Sequence, residues 1–263
     1  MALTLARRGW TVAVADRDAR KARALARRFG FSAATPKAVA LAVISVPDPA
    51  IPAAARALAR RRLPPALAVH LSGAVPADAL SPLARAGWRT AKAHPVFAFP
   101  AEPAPLPPRV AFGVAASDPA DLREVERLVH GLKGIPVRIR PGRDAAWHLA
   151  SVIAGNFLHA QLLAAGSLLE GAAAVPPAGA AALLAPLVRS SLENALAGGR
   201  AGLTGPVARG DAKTLETHLG VLLNEHPEFS MYYASATALL LRLLPPLRRA
   251  ALRRRLKRVG MLI

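Results

Sequence analysis

The chain has 263 residues, 53% of them hydrophobic, and no cysteine, which is length enough for two domains and excludes disulfides, thiol catalysis and thiolate-held metals. Its formal net charge of +19 suits a polyanion, but the arginines are spread over 17–28, 56–62 and 248–258 with no interleaved aromatics for base stacking. Nucleic acid is therefore not the expected partner, and no signal-peptide pattern follows the short apolar run before Arg7 and Arg8, which points to the cytoplasm.

In chain order, residues 2–8 have helical composition and 11–15 read as a buried strand ending at Asp16. A basic amphipathic helix over 19–29 follows, closed by Gly30. This is the second half of a nucleotide-binding βαβ unit. There an acidic residue after the second strand holds ribose hydroxyls, and a following arginine holds a 2′-phosphate. Asp16 favours NAD and Arg17 favours NADP, so the pair leaves the choice of cofactor open; Asp16 also suits a simple helix cap. Residues 39–46 form the next strand, which runs into Ser45-Val46-Pro47-Asp48, and a helix follows to about 59. The strand over 66–71 ends in Ser72-Gly73, and the one over 90–93 ends in His94-Pro95, with a helix over 77–86 between them. A strand over 110–115, a helix over 121–132 and a short strand over 137–139 complete the series.

Strands alternating with helices predict a mostly parallel, Rossmann-like sheet over residues 1–140. In such sheets the carboxyl ends of the strands bind ligands. That edge carries Val46, Pro47, Asp48, Ser72, Gly73 and His94, while His70, inside its strand, reads as structural.

No strand pattern remains after Arg143, so 141–263 is expected to be an all-α domain. Residues 145–170 read as one long helix, apolar nearly all round, which predicts the core of that domain and a homodimer interface. His148, Ser151, Asn156, His159 and Gln161 argue against a membrane span there, and Pro176, Pro177 and Pro186 break the next apolar stretch. His148 and Asn156 lie ~12 Å apart along the helix axis, so they reach one elongated cleft without touching each other. If buried without a partner, Asn156 would cost about 1–3 kcal/mol, so it needs a structural hydrogen bond or a ligand. A helix over 180–196 with Leu183, Leu187, Leu192 and Leu196 on its apolar side ends at Gly198-Gly199. A polar loop, Leu203-Thr204-Gly205-Pro206-Val207-Ala208-Arg209-Gly210-Asp211, then leads into helices over 212–223 and 229–244 and a basic tail. Asp211 is placed to cap the helix that follows. The tail has no acidic residue and leaves an anionic partner open. The histidines show no metal-ligand spacing, so no metal site is expected.

The loop Leu203–Asp211, taken with Trp147-His148, Asn156, Ser72-Gly73 and His94-Pro95, resembles the signature of Rossmann-like proteins that carry a domain of unknown function, DUF2520. These resemble, more distantly, the 6-phosphogluconate and prephenate dehydrogenases. The resemblance implies an NADP- or NAD-dependent oxidoreductase acting on a small polar, carboxylated substrate in a cleft between the two domains. His94, His148 and Asn156 would be catalytic, Ser72, Thr204 and Arg209 would bind substrate, and Asp16, Arg17, Val46, Pro47, Asp48, Ser72 and Gly73 would hold the cofactor. The alternative is a non-catalytic module that senses a nucleotide or metabolite. Trp147 departs from the family's usual tyrosine and removes a phenolic proton donor. A second departure is at the start. A dinucleotide fold opens with a strand and GxGxxG, whereas here a helix comes first and no stretch supplies the glycine loop. The expectation is that Met1 is an internal methionine and that the native chain begins upstream.

Overall fold

A computed structural model describes residues 1–34, 36–176 and 179–258; Pro177 and the residues after 258 lie outside them. The chain divides into two compact units, Met1–Phe157 and the part from Leu158 on.

The first unit is a Rossmann-like α/β sandwich. Its sheet has five strands in sequential order: β1 (Leu41–Ile44), β2 (Leu67–His70), β3 (Arg89–Pro95), β4 (Ala111–Ala115) and β5 (Ile135–Arg138). All pairs are parallel except β3 with β4, where Lys92 faces Ala115 and His94 faces Gly113. The helices are α1 (Ala2–Arg7), α2 (Ala19–Phe29), α3 (Ile51–Ala59), α4 (Ser81–Ala84), α5 (Pro119–Gly131) and α6 (Asp144–Ala154). Period-two alternation splits the core across the two faces of the sheet. Leu67, Val69, Ala91, Ala93, Phe112 and Val114 pack with Leu5 of α1 and with Val125 and Val129 of α5. Ile44 and Ala68 pack on the other face with Ile51 and Ala55 of α3, Leu83 of α4 and Trp88.

Two expectations need correction in this unit. Residues 11–15 are not a strand of the sheet and are not buried: they make one isolated bridge, Ala13 to Ser32, with the Val14 N–H donating to the Ser32 carbonyl at 2.8 Å. The outer edge of β1 carries no partner strand among the described residues, so nothing connects 11–15 to the ladder. A strand joins a sheet only through a neighbour that can take its hydrogen bonds. The helix over 19–29 does form, capped by Asp18 and closed by Gly30 in the left-handed region (φ 69). The second correction concerns extent. The α/β part was expected to end near 140, yet the compact unit reaches Phe157 because α6 is tied to the sheet through Asp144 and Trp147.

Beyond Gly155, α7 (Asn156–Ala172) continues the apolar stretch, followed by α8 (Ala180–Leu183), α9 (Ala185–Gly198), α10 (Gly205–Arg209), α11 (Ala212–Glu225), α12 (Ser230–Leu241) and α13 (Pro246–Arg258). The expected long helix is therefore interrupted at Gly155, and it is not the core of the helical part. Only 6% of its most apolar stretch is buried. The core of the second unit lies elsewhere, in Val207, Ala212, Leu215, Leu219, Leu241, Leu252 and Leu256 of α10 to α13. The loop 203–211 also holds more structure than expected: Pro206 starts the short helix α10, since its fixed φ suits a first helical turn. Asp211 caps α11, accepting the Thr214 N–H at 3.1 Å and the Thr214 hydroxyl at 2.7 Å.

His70 fastens β2 to the segment that follows it. Its Nε2–H donates to the Pro76 carbonyl at 3.1 Å, while its Nδ1 is buried without a partner. Burial is the main cause that lowers its pKa from 6.5 to about 4. The unfolded chain therefore takes up this proton first as pH falls, and stability should drop between 6.5 and about 4. Thermal melts across that range should show a shallower decline for His70→Gln than for the wild type; an unchanged decline would exclude His70 as a source.

Candidate functional site

Strands β1, β2 and β3 run parallel and in register, Ile44 beside His70 beside Lys92. Their carboxyl ends therefore emerge together, and these ends carry Val46-Pro47-Asp48, Ser72-Gly73 and His94-Pro95. Onto this edge α6 brings Trp147 and His148.

The close approach depends on two glycines. A Cβ on Gly73 would stand 2.5 Å from His148 Cδ2 and 2.9 Å from His94 Nε2, so both imidazoles rest against bare backbone. The Trp147 indole lies just as tightly over Gly113 of β4. The two imidazoles meet edge to face, with centroids 5.9 Å apart. Any side chain at position 73 or 113 would push these rings off the edge.

Trp147 fixes the chemistry of His94. Its indole Nε1–H donates to His94 Nδ1 at 3.0 Å. An indole is only a donor, so Nδ1 must be the acceptor, the ring is neutral, and its one proton sits on Nε2, the nitrogen facing Gly73. Burial, then the neighbouring His148 and Lys92, push the His94 pKa down to about 4, against an opposing pull from Asp48. Near neutral pH His94 is a hydrogen-bond donor, not a base. Tryptophan has no phenolic proton to give to a substrate, but it sets the tautomer of its neighbour.

Lys92 is the residue the sequence reading missed. It has no exposed surface, and its ammonium donates to the Gly73 carbonyl at 2.7 Å and to the Asp144 carboxylate at 2.6 Å. One cation thereby joins the loop after β2 to the first turn of α6. The available signal was the alternation Thr90, Lys92, His94, which puts three polar side chains on one face of a buried strand. Gly113 was missed as well, because a glycine inside a strand announces a close approach without saying what approaches.

The other expected site residues fall in different places. Ser72 is buried and its hydroxyl accepts from the Val75 N–H at 3.0 Å and the Ala74 N–H at 3.3 Å, so it shapes its own turn. Asp16 accepts the Asp18 N–H at 2.8 Å, and Arg17 is exposed beside it. Asn156 is exposed at the start of α7, not buried in need of a partner. Thr204 and Arg209 bracket α10 in the second unit and are exposed. No group of three or more potential metal ligands occurs among the described residues.

Residues 110–239 match the family described as a domain of unknown function, DUF2520. The chain carries a DUF2520 domain. That domain supplies Gly113, Asp144, Trp147, His148, Asn156, Thr204 and Arg209, whereas Gly73, Lys92 and His94 precede it. Among solved structures, the chain is similar to protein TM1727 of Thermotoga maritima, with 26% identity over 87% of this chain and 88% of that one and a TM-score of 0.64. It shares its fold with a proposed NADP oxidoreductase, BF3122, of Bacteroides fragilis (20% identity, 91% and 92% coverage, TM-score 0.72). It also shares it with an imine reductase of Myxococcus stipitatus in complex with NADP+ (17% identity, 98% and 90% coverage, TM-score 0.56). No curated protein matches the sequence.

The His94 assignment has a direct readout. Nitrogen-15 NMR of the imidazoles should show His94 as the Nε2–H tautomer from neutral pH down to about 5. Trp147→Phe should free Nδ1 and move the titration toward 6.5; a wild-type His94 that already titrates near 6.5, or carries its proton on Nδ1, would contradict the geometry.

Proposed function

We propose that the DUF2520-containing chain is an NAD(P)-dependent oxidoreductase acting on a small polar, carboxylated substrate. The observation that carries this reading is the convergence of Gly73, His94, Trp147 and His148 at the carboxyl edge of three parallel strands, the place where open α/β sheets bind ligands. The fold it shares with structures described as NADP-linked supports the same reading.

The residues present suit a nicotinamide. The Nε2–H of His94 is a fixed neutral donor for a carboxamide or carbonyl oxygen. Val46, Pro47, Asp48, Ser72 and Gly73 would hold this end of the cofactor, with Asp16 and Arg17 assigned to the adenosine ribose. When bound, the cofactor supplies or accepts hydride. The chain's own part is positioning and proton transfer. His94 polarises the reacting oxygen, and His148, the imidazole not locked by Trp147, moves the proton that accompanies hydride. Asn156 is proposed to hydrogen-bond the same oxygen. Thr204 and Arg209 are proposed for the substrate's carboxylate, which suits the bidentate fork of a guanidinium.

A specific observation also favours a second reading. A histidine held as a neutral donor recognises a ligand without exchanging protons with it, so the cluster also suits a module that binds a nucleotide or metabolite and does not turn it over. Calorimetric titration with NADPH, NADP+ and NAD+ tests binding, and oxidation of NADPH with a panel of keto acids and imines tests turnover. The oxidoreductase reading predicts binding with a Kd below about 1 mM, tighter for NADP+ than for NAD+, with the preference lost in Arg17→Ala. His148→Ala should lower turnover by about 100-fold or more while leaving binding intact. Binding without turnover would favour the second reading, and no binding of any nicotinamide dinucleotide would overturn the oxidoreductase reading.

A further inference from the structure

The helix α13 is held in the second unit by two leucines and is otherwise basic. Leu252 and Leu256 are buried in one core with Leu215 and Leu219 of α11 and Leu241 of α12, which fixes the helix on that unit. The rest of α13 carries seven cations between Arg248 and Arg258 and no carboxylate. Arg249, Arg253 and Lys257 recur at every fourth position, so three cations stand on one flank in steps of ~6 Å along the axis. Like charges so spaced weaken a helix by themselves. Two clefts open along this flank. One, of about 290 Å³, lies between α12 and α13, where Ala238 and Leu241 supply an apolar lining and Arg242, Arg249 and Arg253 a charged one. The other, of about 350 Å³, shares Arg249 and Arg253 and adds Pro246, Ala250, Arg254 and Lys257.

We propose that the two clefts are one binding site for a compact polyphosphate, a short chain of linked phosphates held by the cations of α13 and by Arg242. Charge favours this ligand. Arg242, Arg249, Arg254 and Lys257 have no carboxylate partner among the described residues, and cations gathered in a concave, partly apolar setting focus a positive potential that an anion relieves. The donors favour it as well, since a guanidinium takes phosphate oxygens in a bidentate fork. Cations repeated along the flank can engage several phosphates of one chain, which a lone carboxylate does not offer. Size points the same way: both clefts stand at the small end of the range for small-molecule sites. Larger anionic partners fit less well. No aromatic side chain lines either cleft, so the bases of a nucleic acid have nothing to stack on. On α13 the one exposed large apolar side chain is Leu247, too little to anchor the helix in a bilayer surface. The site lies wholly within the second unit and is independent of the reading of the sheet edge.

The test is calorimetric titration of the full-length chain with inorganic tripolyphosphate at about 0.15 M salt. The result expected is one ligand per chain with a Kd of about 10 µM, and a Tm raised by about 5 °C at about 1 mM ligand. Arg242→Gln, Arg249→Gln and Lys257→Gln combined should weaken binding by about 30-fold or more. Arg20→Gln, Arg23→Gln and Arg27→Gln remove as many charges from exposed positions on α2 and should change it by less than about 3-fold. ATP should bind no tighter than tripolyphosphate, because nothing in the clefts stacks on a base. Should the α12–α13 variant fail to fold, hydrogen exchange of the wild type decides: tripolyphosphate should raise protection over 238–257 and leave the first unit unchanged. The absence of saturable binding overturns the proposal. So do equal losses in the two triple variants, which would reduce the effect to net charge, and protection confined to the first unit. A chain that ignores tripolyphosphate yet binds duplex DNA of about 20 base pairs, or floats with phosphatidylglycerol vesicles, overturns it too and assigns the surface to that partner.

Discussion

A buried ammonium organises the first unit. Lys92 is enclosed in the middle strand of the sheet, and a charge removed from water persists only where fixed acceptors replace the solvent. Its acceptors are the Gly73 carbonyl and the Asp144 carboxylate, one at the end of the neighbouring strand and the other at the start of α6. Satisfying that one charge fixes both the loop that carries Gly73 and the helix that carries Trp147 and His148. The candidate site follows from it: with α6 held down, the indole reaches His94 and the two imidazoles close over the bare backbone of Gly73. An ion pair of this kind is poor evidence of net stability, because hydrophobic replacements often do as well; its consequence here is placement.

The sheet edge was legible in the sequence because each of its three strands ends in turn chemistry. Pro47, Gly73 and Pro95 stop the strands, and the polar residues beside them cannot continue a buried run. Two caps were legible for a similar reason, since Gly30 and Asp211 act through their own local backbone, whereas the N-cap of α2 is Asp18 and not the Asp16 that the sequence suggested. Lys92 was not legible, since a lysine within a strand ordinarily marks a solvated face, and its partner lies 52 residues away. The tautomer of His94 was hidden as well, because it depends on an indole 53 residues further on.

Periodicity failed in two informative places. Residues 11–15 have the composition of a buried strand but have no neighbour in the ladder, and strand propensity reflects packing on cross-strand partners more than any backbone preference. Residues 144–172 have the composition of a buried core helix but are largely uncovered. Hydrophobic pattern says that a surface needs covering; it does not say whether the cover comes from the same chain or from another.

The central claim is that Lys92 and Asp144 act as one unit that fastens α6 to the sheet. A double-mutant cycle on melting free energies measures it with Lys92→Met, Asp144→Leu and the pair combined. Either single substitution leaves a buried charge or its acceptors unpaired and should cost about 3–5 kcal/mol, while the double should cost clearly less than the sum. Additive losses would contradict the account, since the two residues would then contribute independently and the placement of Trp147 and His148 would need another cause.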